Sequence, residues 1–316
     1  ARRLAQALGL DAFSHEATPV EVPDAAGSLD ALMLDTKSTF DALIGRLAPS
    51  EESRDRILAN TLYKNLSSAL AGSHEYMAME QLYAFHAEGK YDLLVLDTPP
   101  THHALDFLDA PKRLLDFLSE DVLQWFVRPY FAGAARGGIK FLEGATRTAL
   151  STLEKVTGLE ALRDVSDFFR GFSGMYDGFK DRARKVSELL TGPEAAYILV
   201  TAPAPVTVEE ARYFYGKLKE YKIKPEAVIL NRMHEPYAGP EALPEPAGED
   251  EAARLARRLL RNLAEMRGAA AVDLAHAERL LAEVGAETAV RRVPLFWNEV
   301  LDLRALRAIH PYLLAE

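Results

Sequence analysis

Three short runs, apolar on both faces and set among helical periodicity, constrain this fold more than any other feature. They are Tyr91-Asp92-Leu93-Leu94-Val95-Leu96-Asp97, Ala196-Tyr197-Ile198-Leu199-Val200-Thr201 and Ala227-Val228-Ile229-Leu230-Asn231. A strand with no polar face suits a sheet covered by helices on both sides. Strands alternating with helices build a parallel, doubly wound sheet. A last strand is predicted from Ala289 to Val293, ending at Pro294, and the alternation from His15 to Val22 suits one more. Residues 1–8 predict a helix closed by Gly9, and the periodicity predicts helices over 28–47 and 51–88. The fold class is therefore α/β, with a doubly wound and mostly parallel sheet.

Residues 102–192 contain no strand candidate and are helical by period, with aromatics that include Phe117, Trp125, Tyr130, Phe168 and Phe179. A connection that long is an inserted helical subdomain rather than a loop. The expected organisation is a first sheet part over 1–101, the helical insert over 102–192 and a second sheet part over 193–316. Glu235 to Asp250, rich in Pro, Gly and Glu, predicts a loop. The helix after it puts Arg254, Arg257, Arg258 and Arg261 on one face, which suits a solvated surface.

Composition narrows the function classes. Lys and Arg number 37 against 47 Asp and Glu, a formal charge of −10. That balance argues against a nucleic-acid-binding surface, yet allows a nucleotide, because phosphate sites are built locally from backbone N–H groups. With no cysteine, zinc thiolate sites and Cys nucleophiles are excluded, and a reducing, cytoplasmic setting is expected.

Two strand ends carry the chemistry. Asp97 closes a run at the carboxyl end of a parallel strand, the place where open sheets bind ligands. A carboxylate there holds Mg²⁺ in phosphoryl-transfer enzymes, or it simply caps the next helix. The stiff Thr98-Pro99-Pro100-Thr101 that follows could present N–H groups and hydroxyls to a γ-phosphate. Asn231 ends the third run, where its amide can read a purine edge or end a strand in a turn. The run continues Arg232-Met233-His234 with no acid to accept from guanine, so a base read there is expected to be adenine rather than guanine.

In this order the runs resemble the ArsA/Get family of ATPases, which drive arsenite pumps and target tail-anchored membrane proteins. Asp97-Thr98-Pro99-Pro100-Thr101-His102-His103-Ala104-Leu105-Asp106-Phe107-Leu108 resembles its second switch, Asp-Thr-Ala-Pro-Thr-Gly-His-Thr-Leu-Arg-Phe-Leu. Thr201 to Glu210 resembles the strand and helix before the base-reading Asn, and Val228 to Arg232 resembles that run itself. Val293-Pro294-Leu295-Phe296-Trp297-Asn298-Glu299-Val300 resembles the terminal segment beside adenine, and 106–111 is closest to bacterial, arsenic-independent members. The resemblance implies a P-loop NTPase of the SIMIBI kind that uses ATP and Mg²⁺. It implies that Asp97 senses Mg²⁺ and the γ-phosphate, with Thr98, Pro100 and Thr101 as the switch. Asn231, with Arg232, would read adenine, and Pro294 and Leu295 would flank it. It also implies a dimer, of like chains or with a paralogue, whose insert at 102–192 meets a hydrophobic or membrane-protein client.

The chain also departs from the family. No Gly-x-x-x-x-Gly-Lys-Ser/Thr loop occurs in it, and Gly133-Ala134-Ala135-Arg136-Gly137-Gly138-Ile139-Lys140 has the wrong spacing. The family places that loop before a segment like the opening Ala1-Arg2-Arg3-Leu4, so the loop is expected to precede Ala1 in a complete protein. The thiolates that bind zinc or arsenite are absent, and His102 stands where the family has Gly. The expected function is a Mg²⁺-dependent ATPase, inactive without its loop. The alternative is a non-hydrolysing partner subunit that binds a paralogue or client through the insert.

Overall fold

The computed structural model describes residues 2–11, 14–61, 63–64, 73–98, 108–113, 168, 174–240, 243–297 and 302–314. Among these the chain runs α1 (Arg2–Ala7), β1 (Thr18–Val20), β2 (Leu29–Ala31), α2 (Thr36–Leu47), α3 (Glu51–Ala59) and α4 (Ser73–Glu88). It continues through α5 (Tyr176–Thr191), β3 (Ile198–Thr201), α6 (Pro205–Glu220), β4 (Ala227–Met233), α7 (Glu251–Leu281), β5 (Ala289–Pro294), α8 (Leu303–Arg307) and α9 (His310–Leu313). It divides into two compact units, Ala1–Met33 with Ala195–Glu316, and Leu34–Glu194.

Local signals set most element ends. Gly9, at φ 73°, closes α1 while the N–H groups of Gly9 and Leu10 return to the Gln6 and Ala5 carbonyls. Asp35, Ser50 and Asp250 each accept from a first-turn N–H and so start α2, α3 and α7. The Asp35 cap explains why the expected helix over 28–47 begins only at Thr36. Residues 29–31 form β2 instead, antiparallel to β1. Of the helical period expected over 51–88, the described residues show α3, helical residues at 61 and 63–64, and α4, with a break at Asn60.

In the first unit β3, β4 and β5 make a parallel sheet in the order β3-β4-β5. All three answer to runs predicted as strands. Leu199, Val228, Leu230 and Met233 pack beneath Val208, Ala211 and Tyr215 of α6 and Ala277 and Leu280 of α7. Alternation turns Ile198 and Val200 to the other face, where they are 60% and 57% exposed. Near β5, α9 lies against the strand, and Arg291 donates from Nε to the Leu313 carbonyl at 2.9 Å. The α/β class with a parallel sheet holds, and among the described residues helices α6 and α7 pack on one face of that sheet.

Among the described residues of the second unit the regular structure is helical. α4 packs between α2 and α5 around Leu43, Ile44, Ile57, Met77, Met79, Phe179 and Val186. Tyr63 donates to Asp41 at 2.5 Å, and burial together with that carboxylate pushes its phenol well above the ordinary range. Of the expected insert, α5 buries the stripe Phe179, Ala183, Val186 and Leu190. Most of 102–192 lies outside the described residues.

One strand is overturned. Tyr91 to Thr98 has no regular structure and joins no ladder, and Leu93 and Val95 are 78% and 85% exposed. Only Leu96 packs against the core of this unit. Apolar composition makes a segment strand-competent, but its N–H and C=O groups need a neighbouring strand before it becomes one.

Candidate functional site

The carboxyl ends of β4 and β5 bring four of the predicted residues together. The ladder pairs Leu230 with Arg292 and Met233 with Pro294, so β4 takes three steps where β5 takes two. Asn231 and Arg232 form that bulge, and Arg232 adopts φ 63°. A bulge inserts one residue, turns the strand and re-aims side chains, as it often does beside ligand sites. Here it leaves Asn231 half-buried and Arg232 exposed, between the buried Leu230 and Met233. Beyond the bulge Leu295 donates its N–H to the Met233 carbonyl at 2.8 Å, which fixes the Pro294-Leu295 turn against Asn231's strand.

His234 follows Met233 and leaves the sheet. Its backbone N–H donates to Asp273 Oδ2 at 2.7 Å, and its ring Nδ1 lies 2.8 Å from the same oxygen. Asp273 belongs to the sheet-facing stripe of α7, with Ala270, Ala277 and Leu280. On that helix His276 Nδ1 lies 3.0 Å from the Pro203 carbonyl, in the loop after β3. α7 thus holds the loops that follow two neighbouring strands. The loop from Glu235 to Asp250 is also tied to α7. Arg257 donates to the Pro246 and Gly248 carbonyls, and Arg267 to those of Tyr237 and Pro240. Arg257, a member of the arginine-rich face, and Arg267 farther along α7 thus clasp loop backbone, so that face is not purely solvated.

The switch residues are placed differently. Asp97 and Thr98 are exposed in the irregular run of the second unit, and Pro100 and Thr101 lie outside the described residues. Among the described residues no group of three or more His, Asp or Glu side chains gathers as a metal cage. The Asn231 amide and the apolar Leu295 are groups of the kind that can bond and stack on a base. Asp97 is the carboxylate that the resemblance assigns to Mg²⁺, and no described cluster of such groups gathers around it.

Asp273 was missed from sequence because it stands 39 positions from His234. The one available signal was its charge within an otherwise apolar stripe of a long helix.

Residues 11–238 match the family model described as anion-transporting ATPase, a stretch that includes Asp97–Thr101 and Asn231–Arg232. The chain belongs to the anion-transporting ATPase family. It is similar to a protein named as an arsenical pump-driving ATPase in Aquifex aeolicus, 23% identical over 165 residues, covering 52% of this chain and 36% of that one. It is also similar to an ATPase ASNA1 homolog of Trypanosoma cruzi, 23% identical over 233 residues, covering 71% and 59%. An ATPase GET3 of Podospora anserina is 23% identical over 233 residues, covering 72% and 62%. The chain thus spans from about a third to about three-fifths of the length of these anion-transporting ATPase relatives. No described helix is long and apolar enough to cross a membrane.

Proposed function

We propose that this chain carries the base-binding and switch parts of a Mg²⁺-dependent ATPase. The observation that carries the reading is the bulge at Asn231–Arg232, which stands at the end of a parallel strand with Leu295 bonded beside it. An amide on a re-aimed strand end is a hydrogen-bonding reader, and the apolar Leu295 next to it suits the face of a base. Asn231 would bond the adenine edge, Arg232 would stand at the open side, and Pro294 and Leu295 would flank the ring. Mg²⁺, when bound, would neutralise phosphate charge, and Asp97 would hold it through water with Thr98, Pro100 and Thr101 forming the switch. The 316 residues contain no Gly-x-x-x-x-Gly-Lys-Ser/Thr loop, so hydrolysis requires one from beyond them. In the assembled ATPase, a dimer would change state on hydrolysis and pass the change to a client or regulator at 102–192.

The test is competition between ATP and GTP for the chain, with Asn231→Ala beside the wild type. ATP should win, and the substitution should reduce that preference several-fold, since each lost hydrogen bond is worth about 1 kcal/mol. Equal binding of GTP and ATP by the wild type removes adenine reading from Asn231.

A further inference from the structure

The stripe that α7 turns to the sheet is Ala270, Asp273, Ala277 and Leu280, and the last two meet Val228 and Leu230 in the core. A carboxylate in such a stripe is costly unless it is bonded. Asp273, 8% exposed, gives one oxygen to both the backbone N–H and the ring of His234. The backbone bond draws the chain off the sheet immediately after Met233, whose carbonyl already holds Leu295. It therefore helps fix the bulge that sets the aim of Asn231. The ring bond selects a tautomer. With the proton on Nδ1 donated to Asp273, Nε2 of the neutral ring is left as an acceptor. The His234 side chain is 43% exposed, so that acceptor is open to a ligand at the same strand end.

We propose that His234 is a specificity determinant of the nucleotide site, with Asp273 as its positioning residue, because this pair holds a fixed acceptor at the end of the strand that carries Asn231. An acceptor suits the 6-amino group of adenine and opposes the 6-oxo group of guanine. The inference rests on the nucleotide reading of this strand end. It also assigns an acid a role that a guanine reader would give it differently: Asp273 spends its inner oxygen on His234 rather than on a base.

The experiment uses the whole chain with ¹⁵N-labelled histidine, at slightly alkaline pH, titrated with ATP and separately with GTP. His234 should show the Nδ1–H tautomer, and ATP should shift both its ring signals and the Asn231 side-chain amide. His234→Ala should cut the ATP-over-GTP preference roughly five- to ten-fold, the range of one lost hydrogen bond. Asp273→Ala should lose the tautomer and the preference together. Asp273→Asn, which keeps an acceptor oxygen in place, should restore the preference to within about two-fold of wild type on the same reasoning. Faster amide exchange at His234 in Asp273→Ala, with the core amides of β4 still protected, would show that the chain has folded and the loop alone has loosened. An Nε2–H tautomer in the wild type, or an unchanged preference in His234→Ala, overturns the roles given to His234 and Asp273. No ATP-induced shift at Asn231 overturns the nucleotide reading itself, whatever the tautomer.

Discussion

Arg182 lies along the carboxylate of Glu80, with its Nε 2.8 Å from Oε1 and 2.9 Å from Oε2 and its Nη2 2.7 Å from Oε1. The pair joins α5 to α4 inside the second unit, and the guanidinium carbon stands 4.1 Å from the ring centre of Tyr83. Glu80 is almost wholly buried, and a second cation, Arg46, stands 3.8 Å away. Burial raises the Glu80 carboxyl above its ordinary range, and Arg182 and Arg46 oppose that rise without cancelling it.

The folded chain therefore binds this proton more tightly than the unfolded chain does. The stability that Glu80 contributes is full below the ordinary carboxylate pKa and is lost as pH rises through the raised folded value. Denaturant unfolding of wild type and Glu80→Gln across this range should show the wild type losing ground to the variant as pH rises. A difference that is flat or grows with pH would count against it. At neutral pH, Arg182→Ala should cost about 3–5 kcal/mol, because it strands a buried charge.

Lys222 closes α6 at φ 59°, with Ile223 N–H returning to the Leu218 carbonyl. A non-glycine residue pays for that conformation, and Lys222 is exposed. Lys222→Gly should raise stability by about 0.5–1 kcal/mol, read as a higher melting temperature. A lower one would mean that the Lys222 side chain contributes more than its backbone costs.

Asp97→Asn should leave the stability of the chain within about 0.5 kcal/mol, as expected for an exposed side chain. The chain by itself should show no ATP hydrolysis above background. With a phosphate-binding loop supplied, the same substitution should abolish most turnover while ATP still binds. Full turnover by Asp97→Asn would return the residue to a helix-capping role.

Arg267 donates from Nε and Nη1 to the carbonyls of Tyr237 and Pro240. Arg267→Ala should let a glutamate-specific protease cut the 235–250 loop several-fold faster while the melting temperature barely moves. Unchanged cleavage would show that Arg257 alone, through Pro246 and Gly248, restrains the loop.

Sequence alone determined what depends on neighbours along the chain. The turn at Gly9, the start of a helix at 51 and the start of another after Asp250 are short-range matters of hydrogen bonding and periodicity, and they were legible. The strands at 198, 227 and 289 were legible for the same reason. Tyr91–Asp97 has the same apolar character yet forms no strand, because a parallel strand is completed by backbone groups from a distant segment. Nothing in its own residues says whether they are there. The site divides along the same line. Asn231 could be named from sequence as the end of a strand, and Pro294 and Leu295 from the family resemblance. The bulge that aims Asn231, the left-handed Arg232 and the carboxylate that Asp273 brings to His234 were decided by tertiary structure. Register between strands and the facing of a helix onto a sheet are set by how whole elements pack, and a buried charge finds its partner only after that packing is complete.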